Sequence, residues 1–130
     1  MNHETAIAGG KYISLLTFRR DGEAVATPVE FVFSSGMIYV RTLPGSGKVK
    51  RIRNNRHVRI APCSMSGRLN GQFIDAVATL VSDEWMAETV NQEFAKKYGI
   101  LWRVGSRLRS ERSQVIRIQL LGQPLERAIR

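Results

Sequence analysis

Asp21-Gly22 stands between two β-prone runs, and that arrangement limits the fold of this chain more than any other local feature. The first run is 12–18, Tyr-Ile-Ser-Leu-Leu-Thr-Phe, ending in Arg-Arg-Asp-Gly-Glu. The second, 24–33, alternates Val25, Thr27, Val29, Phe31 and Phe33 on one face, the period of a half-buried strand. Asp-Gly supplies the backbone freedom that a tight hairpin needs, so the two runs pair antiparallel. A Ser-Ser-Gly turn leads into a third strand, 37–42, and 12–42 therefore reads as a meander. Further strands are expected at about 57–63, 72–81 and 114–121.

Helical signals are fewer. Ser46 is a good N-cap for a two-turn helix that buries Val49 and Ile52 at i, i+3 spacing. Ser82-Asp83-Glu84 opens a longer helix, with Met86, Val90 and Phe94 on one stripe, Lys96 and Lys97 in the last turn and Gly99 just past the end. Trp85 and the Met86–Phe94 stripe are expected in the core. Residues 100–109 suggest a second short helix, with Leu101, Val104 and Leu108 on one side and Arg103, Arg107 and Arg109 over the rest. Six antiparallel strands with two or three helices predict a mainly β fold, a small closed or nearly closed barrel. At 130 residues a single domain spanning 1–130 is expected.

Charge and cysteine content narrow the class. A net charge of +9 asks for an anionic partner: nucleic acid, a membrane surface or an anionic small molecule. No apolar stretch approaches the roughly 20 residues that span a bilayer, and Met1–Ala8 has no basic region followed by a long apolar run. The expectation is a cytoplasmic protein. Cys63 is the sole cysteine, so no internal disulfide forms, and it is expected to act as a small buried apolar side chain. With two histidines a structural zinc site is not expected. His3 lies near the N-terminus, and His57 starts a strand with no evident carboxylate partner, so no acid–base constellation emerges.

The segment 41–58 concentrates the functional signal. The helix N-terminus already carries about half a positive charge, yet its first turn holds Lys48, Lys50 and Arg51. Free N–H groups, a Gly-Ser-Gly approach and lysines together describe a phosphate cradle, with a solvated basic helix as the alternative. Arg41 and Thr42 finish the preceding strand just before it. Pro28 interrupts the second strand, where its missing N–H marks either an edge strand or main-chain groups left free for a planar ligand; Glu30 shares its face.

These pieces together resemble the pyridoxamine 5′-phosphate oxidase-like split β-barrel superfamily. Thr27-Pro28-Val29 and Arg41-Thr42 belong to the superfamily likeness, and the wording Lys11-Tyr12, Thr17-Phe18-Arg19-Arg20-Asp21-Gly22, Ser46-Gly47-Lys48-Val49-Lys50-Arg51-Ile52 and Ala61-Pro62-Cys63 looks most similar to its flavin/deazaflavin-dependent oxidoreductase branch. The resemblance is stronger over 11–82 and looser to 121. It implies a homodimeric six-stranded antiparallel split β-barrel with two cofactor sites at the subunit interface. The phosphate of FMN, or of the deazaflavin coenzyme (F-420 type), would fall on Ser46, Lys48 and Lys50, with Arg41 and Thr42 leading in. The ring system would lie along Thr27, Pro28 and Val29. Two departures stand out: Glu30 follows Thr-Pro-Val where an aromatic is common, and Asn55-Arg56 replaces an Asn-Pro turn.

The function implied is hydride transfer between a reduced flavin or deazaflavin and a small organic substrate, with no catalytic residue assigned and the redox chemistry left to the cofactor. The Arg103, Arg107 and Arg109 cluster would suit the acidic tail of a deazaflavin. The alternatives are a non-catalytic flavin carrier and a nucleic-acid-binding barrel. The second of these is weakened by the lack of a stacking platform among Tyr12, Phe18 and Tyr39. Haem or a tetrapyrrole also stays open as ligand.

Overall fold

The Asp21-Gly22 turn is where the hairpin forms. The structure, a computed structural model, describes Ile7, residues 9–99 and residues 113–121. Strand β1 (Tyr12–Phe18) pairs antiparallel with β2 (Ala24–Glu30). Gly22 takes a φ of 91°, which glycine adopts without a Cβ penalty, and the Asp21 carboxylate accepts the Glu23 N–H at 2.9 Å. A second hairpin joins β3 (Val32–Ser34) to β4 (Met37–Thr42) through Ser35 and Gly36, both at positive φ. Helix α1 (Gly47–Asn54) follows, then β5 (His57–Cys63), β6 (Ile74–Val81), helix α2 (Glu84–Tyr98) and β7 (Gln114–Leu120).

All pairings are antiparallel, in the order β2-β1-β5-β6-β7-β4-β3. The outermost strands, β2 and β3, are separated in sequence only by Phe31. A sheet whose two edges are one residue apart along the chain must curl round to meet itself, and this is the expected split barrel. Among the described residues it has seven strands where six were expected. The single second strand expected over 24–33 breaks at Phe31, because the Phe31 backbone is taken by side chains of α2: its N–H donates to the Tyr98 hydroxyl at 2.9 Å, and its carbonyl accepts from Lys97 Nζ at 2.9 Å. The break also ends the alternation: Phe31 and Val32 are both buried, but in different cores.

The first core fills the barrel with alternate residues of its strands, including Ile13, Leu15, Ile38, Val58, Ile60 and Ile116. Ile52 of α1 and Ile7 close it, and Ile52 is about as buried as a strand residue. The second core lies outside the barrel, where Val90 and Phe94 of α2 cover Val32, Tyr39 and Val115. Each such side chain contributes roughly 1.5–3 kcal/mol of transfer free energy. Met86, Val90 and Phe94 form the expected stripe, but Trp85 does not join it: it is 70% exposed. One residue ahead of Met86 on a helix is a rotation of about 100°, which turns the indole away from the sheet.

Asp83 caps α2, its side chain accepting the Trp85 N–H, and Gly99 ends it at φ 90°. Among the described residues no helix is long and apolar enough to cross a membrane. The second short helix expected over 100–109, with Trp102 and the Arg103, Arg107 and Arg109 cluster, lies outside the described residues, as does His3.

Candidate functional site

The start of α1 is built by Ser46. With φ −67° and ψ 159° it is extended, and its hydroxyl accepts the Val49 N–H at 3.4 Å while its carbonyl accepts the Lys50 N–H at 3.2 Å. Thr42 Oγ1 donates to the same hydroxyl at 3.4 Å, tying the end of β4 to the cap. The N–H groups of Gly47 and Lys48 have no acceptor among the described residues. They point out of the positive end of the helix dipole, and the first turn has no carboxylate to balance it.

Cations crowd this end instead. Lys48 is half-buried, without a hydrogen bond or ion pair among the described residues, and its amine is held below the ordinary lysine value by burial first and then by Arg51. Arg51 folds back along the helix, so that a Cβ placed on Gly47 would lie 2.7 Å from its Nη1. Its Nε donates at 2.6 Å to Thr17 Oγ1, a fully buried hydroxyl that in turn reaches the Val25 carbonyl at 3.5 Å. Burial, then the charge of Arg19, lowers the Arg51 guanidinium from its usual value. Lys50 is exposed on the same turn. Mutually repelling cations beside unpaired N–H groups are costly alone and favourable around an anion.

The residues expected from the sequence separate into groups. Thr42, Ser46 and Lys48 come together at the start of α1, with Lys50 beside them. Arg41 turns towards the seventh strand, where its Nε donates to Ser113 Oγ at 3.1 Å. Thr27, Pro28 and Val29 lie on β2, an edge strand of the sheet, which accounts for a proline there without a broken ladder. Val29 packs against the barrel core, while Pro28 is exposed and lies under the β5–β6 loop: a Cβ on Gly67 would be 3.8 Å from its Cγ. The hydrogen bonds Arg51–Thr17–Val25 run from α1 through β1 to β2.

Arg51 and Thr17 are members of this site that the sequence reading left out of it. The available signal was Gly47 four residues before Arg51, since helical side chains lean towards the N-terminus and a glycine there leaves room for the guanidinium. His57 is a correction. It was expected to lack a carboxylate partner, yet its Nε2 lies 2.8 Å from Asp75 Oδ1 and its ring stacks on Phe18 at 5.2 Å. The partner is 18 residues away and meets His57 only through the β5–β6 pairing. Arg59 Nε also donates to Asp75 at 3.0 Å, and these bonds, that from His57 foremost, hold the carboxyl below the usual carboxylate range. Cys63 is buried and its thiol is pushed up by that burial, in keeping with an inert apolar role. Among the described residues no group of three or more His, Cys, Asp or Glu could hold a metal ion.

Comparison with known proteins gives this geometry a setting. A structure from Listeria innocua described as a putative pyridoxamine 5′-phosphate oxidase superposes with a TM-score of 0.65 at 21% identity, covering 88% of this chain and 86% of its own. The heme storage protein HutZ from Vibrio cholerae gives 0.67 at 17% identity, covering 85% and 81%. An FAD-binding protein from Mesorhizobium loti gives 0.64 at 16% identity, covering 92% and 85%. At such identities the likeness is one of fold. No curated protein sequence matches the chain. The family model described as pyridoxamine 5′-phosphate oxidase matches residues 2–121, nearly the whole chain, and this protein therefore belongs to the pyridoxamine 5′-phosphate oxidase family.

Proposed function

We propose that this protein binds a flavin-type cofactor, FMN or a deazaflavin, with its phosphate at the start of α1, and serves hydride transfer to or from a small organic substrate. The observation that carries the proposal is the donor set: the Gly47 and Lys48 N–H groups without acceptors, half-buried Lys48, the Arg51 guanidinium over Gly47, and no carboxylate in the turn. That set suits a phosphate, which carries one to two negative charges and several acceptor oxygens. Thr42 and Ser46 add hydroxyls, Lys50 adds a second ammonium, and Arg41 stands at the end of the strand leading in. Thr27, Pro28 and Val29 offer the strand along which a ring system would lie. The FAD-binding neighbour of the same fold supports a flavin as the ligand class.

When bound, such a cofactor supplies the redox chemistry, accepting or giving the hydride. This chain's residues bind the anionic end and orient the ring, which converts an encounter into a positioned reaction. A homodimer with sites at the interface belongs to the same reading. Haem is the second reading, raised by the heme storage protein among the structural neighbours. His57 is the one imidazole among the described residues, and its Nε2 is taken by Asp75, which favours the flavin.

Lys48→Ala and Lys50→Ala test the assignment. Each removes one charge-assisted contact, so FMN affinity should fall by roughly tenfold to a hundredfold per lysine. Riboflavin, which has no phosphate, should bind both variants as it binds the wild type. Unchanged affinity for FMN and for the deazaflavin coenzyme would overturn the cradle.

A further inference from the structure

Phe31 is the joint at which the two edges of the sheet meet, and nothing in the phosphate assignment uses the groups that hold it. Its N–H donates to the Tyr98 hydroxyl at 2.9 Å, and the same hydroxyl lies 2.7 Å from both the Lys11 and the Phe31 carbonyls. Lys97 Nζ donates to the Phe31 carbonyl at 2.9 Å and stands 3.5 Å over the Phe31 ring. With that carbonyl taken by the ammonium, the single hydroxyl proton of Tyr98 is available to Lys11. One turn of α2 thus grips the start of β1 and the end of β2 together.

The segment next to this grip is Thr27–Val29. β2 is an edge strand that pairs only with β1 within the sheet, with Pro28 opposite Ser14. The β1 ladder and the packing of Val29 hold this segment from one side, and the peptide of Phe31 fixes the chain just beyond it. We infer that Lys97 and Tyr98 are positioning residues for the cofactor ring, setting the place of the Thr27–Val29 segment by clamping the Phe31 backbone. The inference rests on the flavin reading above and adds to it that the helix on the outside of the barrel controls the ring end of the site, separately from the phosphate end.

Among the described residues, the charged and titratable groups around the clamp are Glu30 on β2, Tyr12 on β1, and Lys97 and Tyr98 themselves. Burial pushes the Lys97 amine down to about 8, with Glu30 pulling it upward. Burial likewise raises the Tyr98 hydroxyl, which stays protonated and able to donate. A neutral amine donates more weakly to the Phe31 carbonyl and loses its attraction to the ring, so the clamp slackens as pH rises through about 8.

The experiment titrates wild type, Tyr98→Phe, Lys97→Met and Lys97→Arg with riboflavin and with FMN. The deazaflavin coenzyme and its phosphate-free chromophore are run in parallel, and far-UV circular dichroism checks the fold. Tyr98→Phe and Lys97→Met should weaken the phosphate-free and phosphate-bearing ligands by the same factor, about tenfold, whereas Lys97→Arg should stay near wild type. Wild-type affinity for riboflavin should decline as pH rises through about 8, and Lys97→Met should not show that step. Should Tyr98→Phe fail to fold, Lys97→Met and the wild-type pH profile decide the matter. Folded variants that bind both ligands like wild type overturn the inference, as does a loss confined to FMN, which would place the effect at the phosphate. A wild type that binds none of these ligands overturns the flavin reading, and the clamp's role with it.

Discussion

Gly47→Ala should make the protein more stable and a poorer binder at once. Gly47 is the first residue of α1, and its φ is not in the left-handed region, so alanine fits the backbone. Replacing glycine at such a position favours the folded state by about 0.5 kcal/mol, mostly by restricting the unfolded chain. For a chain of this size that is a rise in Tm of about 2 °C. The new Cβ, however, would stand 2.7 Å from Arg51 Nη1. A guanidinium is the far end of a flexible side chain, so its Nη1 end turns aside while Nε keeps its hydrogen bond to Thr17, at little cost to the fold, and the charge leaves the helix N-terminus. If Arg51 is one of the phosphate contacts, FMN affinity falls by about tenfold or more, the worth of one charge-assisted hydrogen bond. Thermal melting of the free protein and fluorescence titration with FMN and riboflavin read the two effects separately. A Gly47→Ala variant that binds FMN as tightly as wild type would refute the place given to Arg51. A variant that melts several degrees lower would refute the backbone argument.

Ile52→Ala removes a side chain that closes the barrel from α1, and it should cost about 2–5 kcal/mol, read as a shift in the denaturant midpoint with little change in slope. Asp75→Asn should change how stability depends on acid. The wild-type carboxyl is held below its ordinary value by His57 and Arg59, so its contribution is complete above the ordinary carboxylate value and is lost as pH falls through the lowered one. The variant should therefore show a flatter decline in stability over that acidic window, by a small amount because the group is exposed.

What could be read from the chain was whatever is encoded within a few residues. Asp21-Gly22 turned the first hairpin, Ser46 capped α1, and Val49 and Ile52 faced inward, each because the determining contacts are local. The strands at 12–18, 37–42 and 57–63 appear where their apolar runs place them. The features that escaped are set by partners far along the chain. The break at Phe31 depends on Lys97 and Tyr98, 66 and 67 residues away, and no pattern within 24–33 distinguishes it from one continuous strand. The partnership of His57 with Asp75 exists only once β5 and β6 are in register. Trp85 failed for a different reason: hydrophobicity alone suggested burial, while its helical phase, one step off the Met86–Phe94 stripe, pointed to solvent. In the candidate site, Ser46 and Lys48 could be found from cap chemistry and misplaced charge. Arg51 needed the glycine four residues earlier to be seen as space for its side chain.

The central claim is that the start of α1 holds the phosphate of a flavin-type cofactor, and a parallel titration of the wild-type protein tests it most directly. The ligands are FMN and riboflavin, the deazaflavin coenzyme and its phosphate-free chromophore, and haem. In at least one flavin or deazaflavin pair the phosphate-bearing member should bind about a hundredfold tighter, and the advantage should shrink as salt is raised. Equal affinity within each pair, or binding of haem alone, would contradict it.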